Sequence, residues 1–328
     1  MSSLKKLIMS LMLLCSATAL RGQDIHFSQI DINPILFNPA YSGFFDGTGR
    51  FGFIYRNQWA SVSKAFQTAA ATAEVSLMRR RYYSDGLSLG VILLTDRAGT
   101  LHYGTTSGTL ILSYYKALGN SNNNFISIAA EAGIGQAGFN PADIEMEDPT
   151  ETLENTNANF MSFGVGSAWF YQPNDNMHLK LGLSARNINQ PDISYMQQEN
   201  AVIPRKISGY ARAEYRLWPS VSIMPLAACM VQRNYREILF GCDAKWYLSE
   251  SSYRNINVSA GLHYRWRDAA LVEIAAEYNA FIFALTYDAN LSKLTPASKS
   301  VGSFEIGIVY RLVKSKHIKR KAMPCPIM

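Results

Sequence analysis

From residue 49 onward the chain repeats one pattern. Runs of about ten residues alternate apolar with polar or small side chains, then break at Gly, Asn, Asp, Pro or Ser. Alternation of period two marks a strand with one apolar face. Residues 254–266 show it best: Val258, Ala260, Leu262, Tyr264 and Trp266 share one face, and Ser259, Gly261, His263, Arg265 and Arg267 share the other. Such runs fall near 49–58, 66–78, 86–95, 104–116, 125–137, 160–171, 177–185, 205–217, 220–232, 237–248, 254–266, 269–278, 281–289 and 302–312. That is an even set of about 14 strands, most of a length that crosses a bilayer at a tilt. A soluble β-sandwich would use shorter strands.

The breaks carry a second signal. The long connections, 59–65, 96–103, 138–159, 186–204 and 290–301, all follow odd-numbered strands. Outer-membrane barrels have long loops on one side and short turns on the other. All five tryptophans, Trp59, Trp169, Trp218, Trp246 and Trp266, fall at or near strand ends, where an amphipathic ring meets the membrane interface. The expected fold is therefore all-β: a transmembrane antiparallel β-barrel of the outer-membrane type. Both termini are expected in the periplasm.

Composition agrees. Charged residues are 17% of the 328, and mean hydropathy is −0.05, far below that of a helical membrane bundle. The first residues explain export. Lys5 and Lys6 precede the apolar run Leu7 to Leu14, and Ala17-Thr18-Ala19 offers a small-residue cleavage pattern. Leu14 ahead of Cys15 is too large for the usual lipidation site. Four segments follow: a signal peptide at 1–22, a periplasmic segment or plug at 23–48, the barrel at 49–312 and a basic tail at 313–328. The net charge of +6 draws on that tail, through Lys314, Lys316, Lys319, Arg320 and Lys321, so it gives no support to nucleic-acid binding.

On the inward faces the pattern places Arg56, Glu131, Arg212, Glu214, Arg216, Asp243, Lys245, His263, Arg265, Glu273, Glu277, Glu305 and Arg311. They could line an ion-guiding path or form an internal ion-pair network. Gly133-Ile134-Gly135-Gln136-Ala137-Gly138 has dinucleotide-binding spacing but lacks the helix that chemistry needs. The acidic 138–159 loop matches no defined calcium loop. Cys229 and Cys242 fall on the two strands of one hairpin, where a bridge or two separate packing residues are possible. No nucleophile elbow, zinc spacing or phosphate loop is present, so neither an enzyme nor a cofactor is expected.

The segment ahead of the barrel is distinctive: Phe27-Ser28-Gln29, Asn33-Pro34, then Asn38-Pro39-Ala40-Tyr41-Ser42-Gly43, with Tyr55-Arg56-Asn57-Gln58-Trp59 in the first strand and Pro324-Cys325-Pro326 near the end. Together these resemble the PorP/SprF family of type IX secretion outer-membrane proteins of the Bacteroidota. The resemblance implies a non-enzymatic outer-membrane part of the secretion and gliding machinery. It would support secretion or surface anchoring of cargo such as adhesins through contacts with the cargo and with periplasmic or outer-membrane secretion subunits. Asn33, Pro34, Asn38, Pro39 and Tyr41, with the basic tail, are the expected partner-binding residues. The alternative is a passive porin or small-molecule channel.

Overall fold

The computed structural model describes residues 27–58, 66–79, 85–98, 103–119, 123–139, 156–194, 201–250, 254–291 and 301–313. The signal peptide expected at 1–22, Trp59, most of the acidic loop, Cys325 and the tail lysines Lys314, Lys316, Lys319 and Lys321 with Arg320 lie outside these.

Fourteen strands close into one antiparallel barrel in which every strand pairs with its sequence neighbours and β1 seals against β14. They are β1 (Gly49–Gln58), β2 (Phe66–Arg79), β3 (Gly86–Ala98), β4 (Tyr103–Ala117), β5 (Asn124–Gly138), β6 (Asn157–Asn174), β7 (Met177–Arg186), β8 (Lys206–Trp218), β9 (Val221–Gln232), β10 (Tyr235–Glu250), β11 (Asn255–Arg265), β12 (Ala269–Tyr278), β13 (Phe281–Asn290) and β14 (Val301–Leu312). Closure removes every unpaired strand edge, which hydrocarbon would penalise severely.

The strand alternation sorts side chains as expected. On β1, Phe51 and Phe53 are exposed outward, while Arg50, Ile54 and Arg56 are buried inside. The outer belt continues around the wall through Leu93, Leu110, Ile134, Leu183, Leu262 and Ile274, all exposed. Trp218 and Trp246 are exposed near one rim and Trp266 at the other. Arg267 departs from the expected inward face: it sits in the β11–β12 turn with φ of 61°.

We call the end where β1 starts and β14 finishes the terminal mouth, and the other the loop mouth. The two longest connections, 139–156 and 187–205, both lie at the loop mouth. The connection expected at 96–103 is shorter, because β3 runs on to Ala98 and β4 begins at Tyr103. Part of 187–205 is pinned: Asp192 bridges Val202, and Ser194 donates to Asp192 through its backbone N–H at 2.8 Å and through its hydroxyl. These bonds hold the Asp192 carboxyl below the ordinary carboxylate range.

Cys229 and Cys242 are both free and exposed outward. Cys229 is opposite Ile238, and Cys242 is opposite Pro225. A four-residue offset along a strand is about 13 Å, too far for the hairpin bridge entertained above.

Candidate functional site

Residues 27–48 fill the lumen. Two Pro-initiated 3-10 turns, Pro34–Leu36 and Pro39–Tyr41, replace the long helix that two Asn-Pro steps disfavour. The Asn38 side chain caps the second turn, accepting from the Ala40 N–H at 2.9 Å. From Ser28 to Phe45 nearly every residue is buried. The strap descends from one mouth to the other, and its partners on the wall change character along the way.

At the loop mouth the grip is ionic. Glu305, fully buried, accepts from the Ser28 N–H at 2.8 Å and the Gln29 N–H at 3.1 Å. The Ser28 hydroxyl accepts from Arg56 at 2.9 Å and from Arg265 at 2.6 Å, and donates to Asp288 at 3.1 Å. Arg56 also pairs with Glu305, and Asp288 pairs with both arginines. Two guanidiniums and two carboxylates thus neutralise one another around one serine, the only condition under which buried charge is tolerable.

Midway, Asp31 accepts from Tyr210, Arg212 and Lys180. Arg212 continues to Asp243 at 2.7 Å, and His263 Nε2 lies 3.2 Å from the same carboxylate. The Lys180 ammonium sits 4.3 Å above the Tyr41 ring. On the other side, Arg186 donates to the carbonyls of Ile35 at 2.7 Å and Leu36 at 2.5 Å and pairs with Glu131 at 3.0 Å.

Asn38 then donates to the Ser167 and Leu183 carbonyls of the wall at 3.0 and 3.2 Å. Room for it exists because β6 and β7 carry glycine there. A Cβ on Gly166 would lie 2.2 Å from the Asn38 oxygen, and one on Gly182 would lie 2.1 Å from the Tyr41 hydroxyl.

At the terminal mouth the grip is aromatic. Phe44 stacks on Phe170 with centroids 3.5 Å apart and meets Tyr115 and Phe125 edge-on; Tyr41 meets Phe170 and Tyr210. The Gly43 N–H donates to Glu74, which pairs with Arg50 at 2.6 Å. Below this the chain turns into β1, with the Thr48 N–H bonded to the Leu312 carbonyl.

Among the described residues, gaps lie beside the strap. One of about 60 Å³ is bordered by Asp31, Lys180, Arg212, Glu273 and Glu277. Another, of about 150 Å³, lies near the loop mouth beside Phe27, Glu131 and Arg186. At roughly 10–15 Å³ per water they hold about five and about a dozen solvent molecules.

All nine charges Arg56, Glu131, Arg212, Glu214, Arg216, His263, Arg265, Glu273 and Glu277 point inward, and they fall into several separate clusters. Glu277 pairs with Arg311 and accepts from Asn255 and Asn257. Glu214 accepts from Tyr247, and Thr286 donates to Glu273 at 3.3 Å. Arg216 pairs with Glu250 at 2.6 Å near the terminal rim. Sequence reasoning missed Asp31, Arg50, Glu74, Lys180, Glu237 and Asp288, although all except Asp31 fall on the inward register of strands already recognised. It also placed Asn33, Pro34, Asn38, Pro39 and Tyr41 where a partner could reach them. They are instead buried against the wall, where Asn33 accepts from Thr72 at 3.0 Å and Asn38 bonds two strand carbonyls, while the Asn33 amide nitrogen and the Tyr41 hydroxyl have no hydrogen-bond partner among the described residues. Among the described residues no group of three or more His, Cys, Asp or Glu is placed to hold a metal. Gly133 and Gly135 continue β5 as small inward positions.

The family of type IX secretion system membrane proteins named PorP/SprF matches residues 19–310. The chain belongs to the PorP/SprF family. No protein of curated function matches it. Among solved structures it resembles the toluene transporter TodX of P. putida, with a TM-score of 0.50 and 8% identity over 87% of this chain and 95% of that one. It also resembles the monoaromatic hydrocarbon channel CymD, with a TM-score of 0.49 and 10% identity over 90% and 96%. The Ralstonia pickettii toluene transporter TbuX scores 0.46 at 10% identity over 84% and 91%. At these identities the likeness speaks for the fold alone. Fold and family together make this PorP/SprF protein an outer-membrane barrel of type IX secretion.

Proposed function

We propose that this PorP/SprF protein serves type IX secretion as a closed barrel, supporting secretion or surface anchoring of cargo such as adhesins through protein contacts rather than by conducting solutes or by catalysis. The observation that carries this reading is the strap. It occupies the lumen from the Ser28 cluster to the Phe44 cage, and the wall bonds it at Ser28, Gln29, Asp31, Asn38 and Gly43 and cages Phe44. A lumen meant to pass substrate would leave a continuous path instead of gaps of about 60 and 150 Å³. By the asymmetry of the connections, the loop mouth faces outside, where cargo arrives, and the terminal mouth faces the periplasm.

The test is single-channel conductance of the full purified protein in a planar bilayer, together with mild detergent extraction from outer membranes. The expected result is no stable wide pore, and co-recovery with a surface adhesin or secretion subunits. A steady, wide conductance would overturn the closed-barrel reading and favour a passive channel. Recovery of the barrel alone, with secretion intact after deletion of its gene, would overturn the contact role.

A further inference from the structure

The strap has a direction. Ser28 is held by Arg56, Asp288 and Arg265, each within the last few residues of its strand on the loop side: Arg56 on a strand ending at Gln58, Asp288 on one ending at Asn290, and Arg265 at the end of its own. Phe27 borders the gap near the loop mouth with Thr105, Asn187 and Lys206, also at loop-side strand ends. Asn33 meets Thr72, close to the middle of β2. Ser42 meets Ser88 and Phe45 meets Arg50, both one or two residues from the terminal-side end of their strands. Thr48 bonds Leu312 at the terminal rim itself. Between these ends the path is not even: along β7 the strap meets Lys180 at Asp31, Arg186 at Ile35 and Leu36, and then Ser184 and Leu183 at Phe37 and Asn38, yet its net run is from the loop mouth to the terminal mouth.

We propose that the chain is threaded through its own barrel, so that the strap enters from the loop mouth at Phe27, while β1 starts and β14 ends at the terminal mouth. The ends of the described chain, Phe27 and Val313, then lie at opposite mouths, whereas both termini were expected together in the periplasm. The inference does not depend on the secretory role, because it follows from the strap's path alone.

The experiment compares single cysteines in an otherwise cysteine-free chain, with Cys229, Cys242 and Cys325 changed to Ser. Phe27→Cys and Asp46→Cys sit at the two ends of the strap, and Asp46 is exposed. Arg233→Cys in the exposed β9–β10 turn marks the loop mouth, and Ser220→Cys in the exposed β8–β9 turn marks the terminal mouth. Cells are treated, intact or with the outer membrane opened, with a maleimide on a polymer too large for porins. Phe27→Cys should label under the same condition as Arg233→Cys, and Asp46→Cys under the same condition as Ser220→Cys. Co-labelling of Phe27→Cys with Ser220→Cys would overturn the threading. If Phe27→Cys is shielded or fails to fold, a site-specific protease sequence placed directly before Phe27 decides. Cutting under the Arg233→Cys condition supports the proposal; cutting only under the other, or none, overturns it.

Discussion

Removing the Glu305 carboxylate tests whether the ionic grip holds the upper strap independently of the aromatic cage. In Glu305→Ala, the N–H groups of Ser28 and Gln29 lose their acceptor, and Arg56 keeps only Asp288, 3.2 Å away, as its ion-pair partner. Each orphaned buried donor costs about 1–3 kcal/mol, and breaking one side of a buried pair costs about 3–5 kcal/mol. These terms overlap, so about 3 kcal/mol is a conservative sum for the local loss. At 1.4 kcal/mol per tenfold, opening of residues 28–33 should become on the order of a hundredfold more frequent. Hydrogen exchange by mass spectrometry on the barrel in detergent reads this directly, because local opening sets the exchange rate. The Ser28 and Gln29 amides should exchange on the order of a hundredfold faster. The amides of Tyr41, Ser42 and Phe44, bonded within the strap's lower half, should hold their rates. Uniform acceleration from 27 to 48 would show that the strap moves as one body, and unchanged exchange at Ser28 would show that Glu305 does not hold it. Either result refutes the reasoning.

Gly182→Val puts a branched side chain where even a Cβ would meet the Tyr41 hydroxyl at 2.1 Å. The strap should unseat from β7, seen as intermittent conductance in bilayers that is absent from the parent protein. Ile274→Arg places a charge halfway along β12 on the lipid face and should destabilise folding into vesicles by about 2–4 kcal/mol, whereas the same change at Leu291, beyond the end of β13, should cost about 1 kcal/mol or less. In a Cys325→Ser chain, mild oxidation should leave Cys229 and Cys242 unbridged, so intact mass should show two reactive thiols after denaturation in maleimide; a loss of two protons would contradict the register.

The wall was legible because its physics is periodic. Phe51 and Phe53 against Arg50 and Arg56 define a face regardless of what fills the lumen, so the boundaries of β1, β12 and β13 could be drawn from alternation nearly to the residue. Strand ends that leave the apolar zone were less legible: β6 begins at Asn157, three residues before its alternation becomes apolar, and β3 ends in the polar Thr95-Asp96-Arg97-Ala98 stretch. The strap was the opposite case. Its polar residues have no period, and Asn38 looks like any turn asparagine until two wall carbonyls appear beside it. The available signal was the set of inward glycines: Gly166 and Gly182 spend a lumen position on no side chain at all, as a filled lumen requires.

The path of the strap also constrains how the molecule can be built. Its contacts reach β13 and β14 at Ser28, β8 and β7 at Asp31, and β6 and β7 at Asn38, so no single patch of the wall holds it. A finished tube would have to draw Asp31 and the Asn-Pro turns upward past the Phe44 site, dragging charge through an aromatic constriction. An open, curved sheet can instead lay its strands around a strap already in place. The seam between β1 and β14, ten residue pairs from Gly49–Leu312 to Gln58–Ser303, is then the last to form. Assembly ends by wrapping the sheet around its own leading segment, and each barrel leaves the assembly machinery already corked.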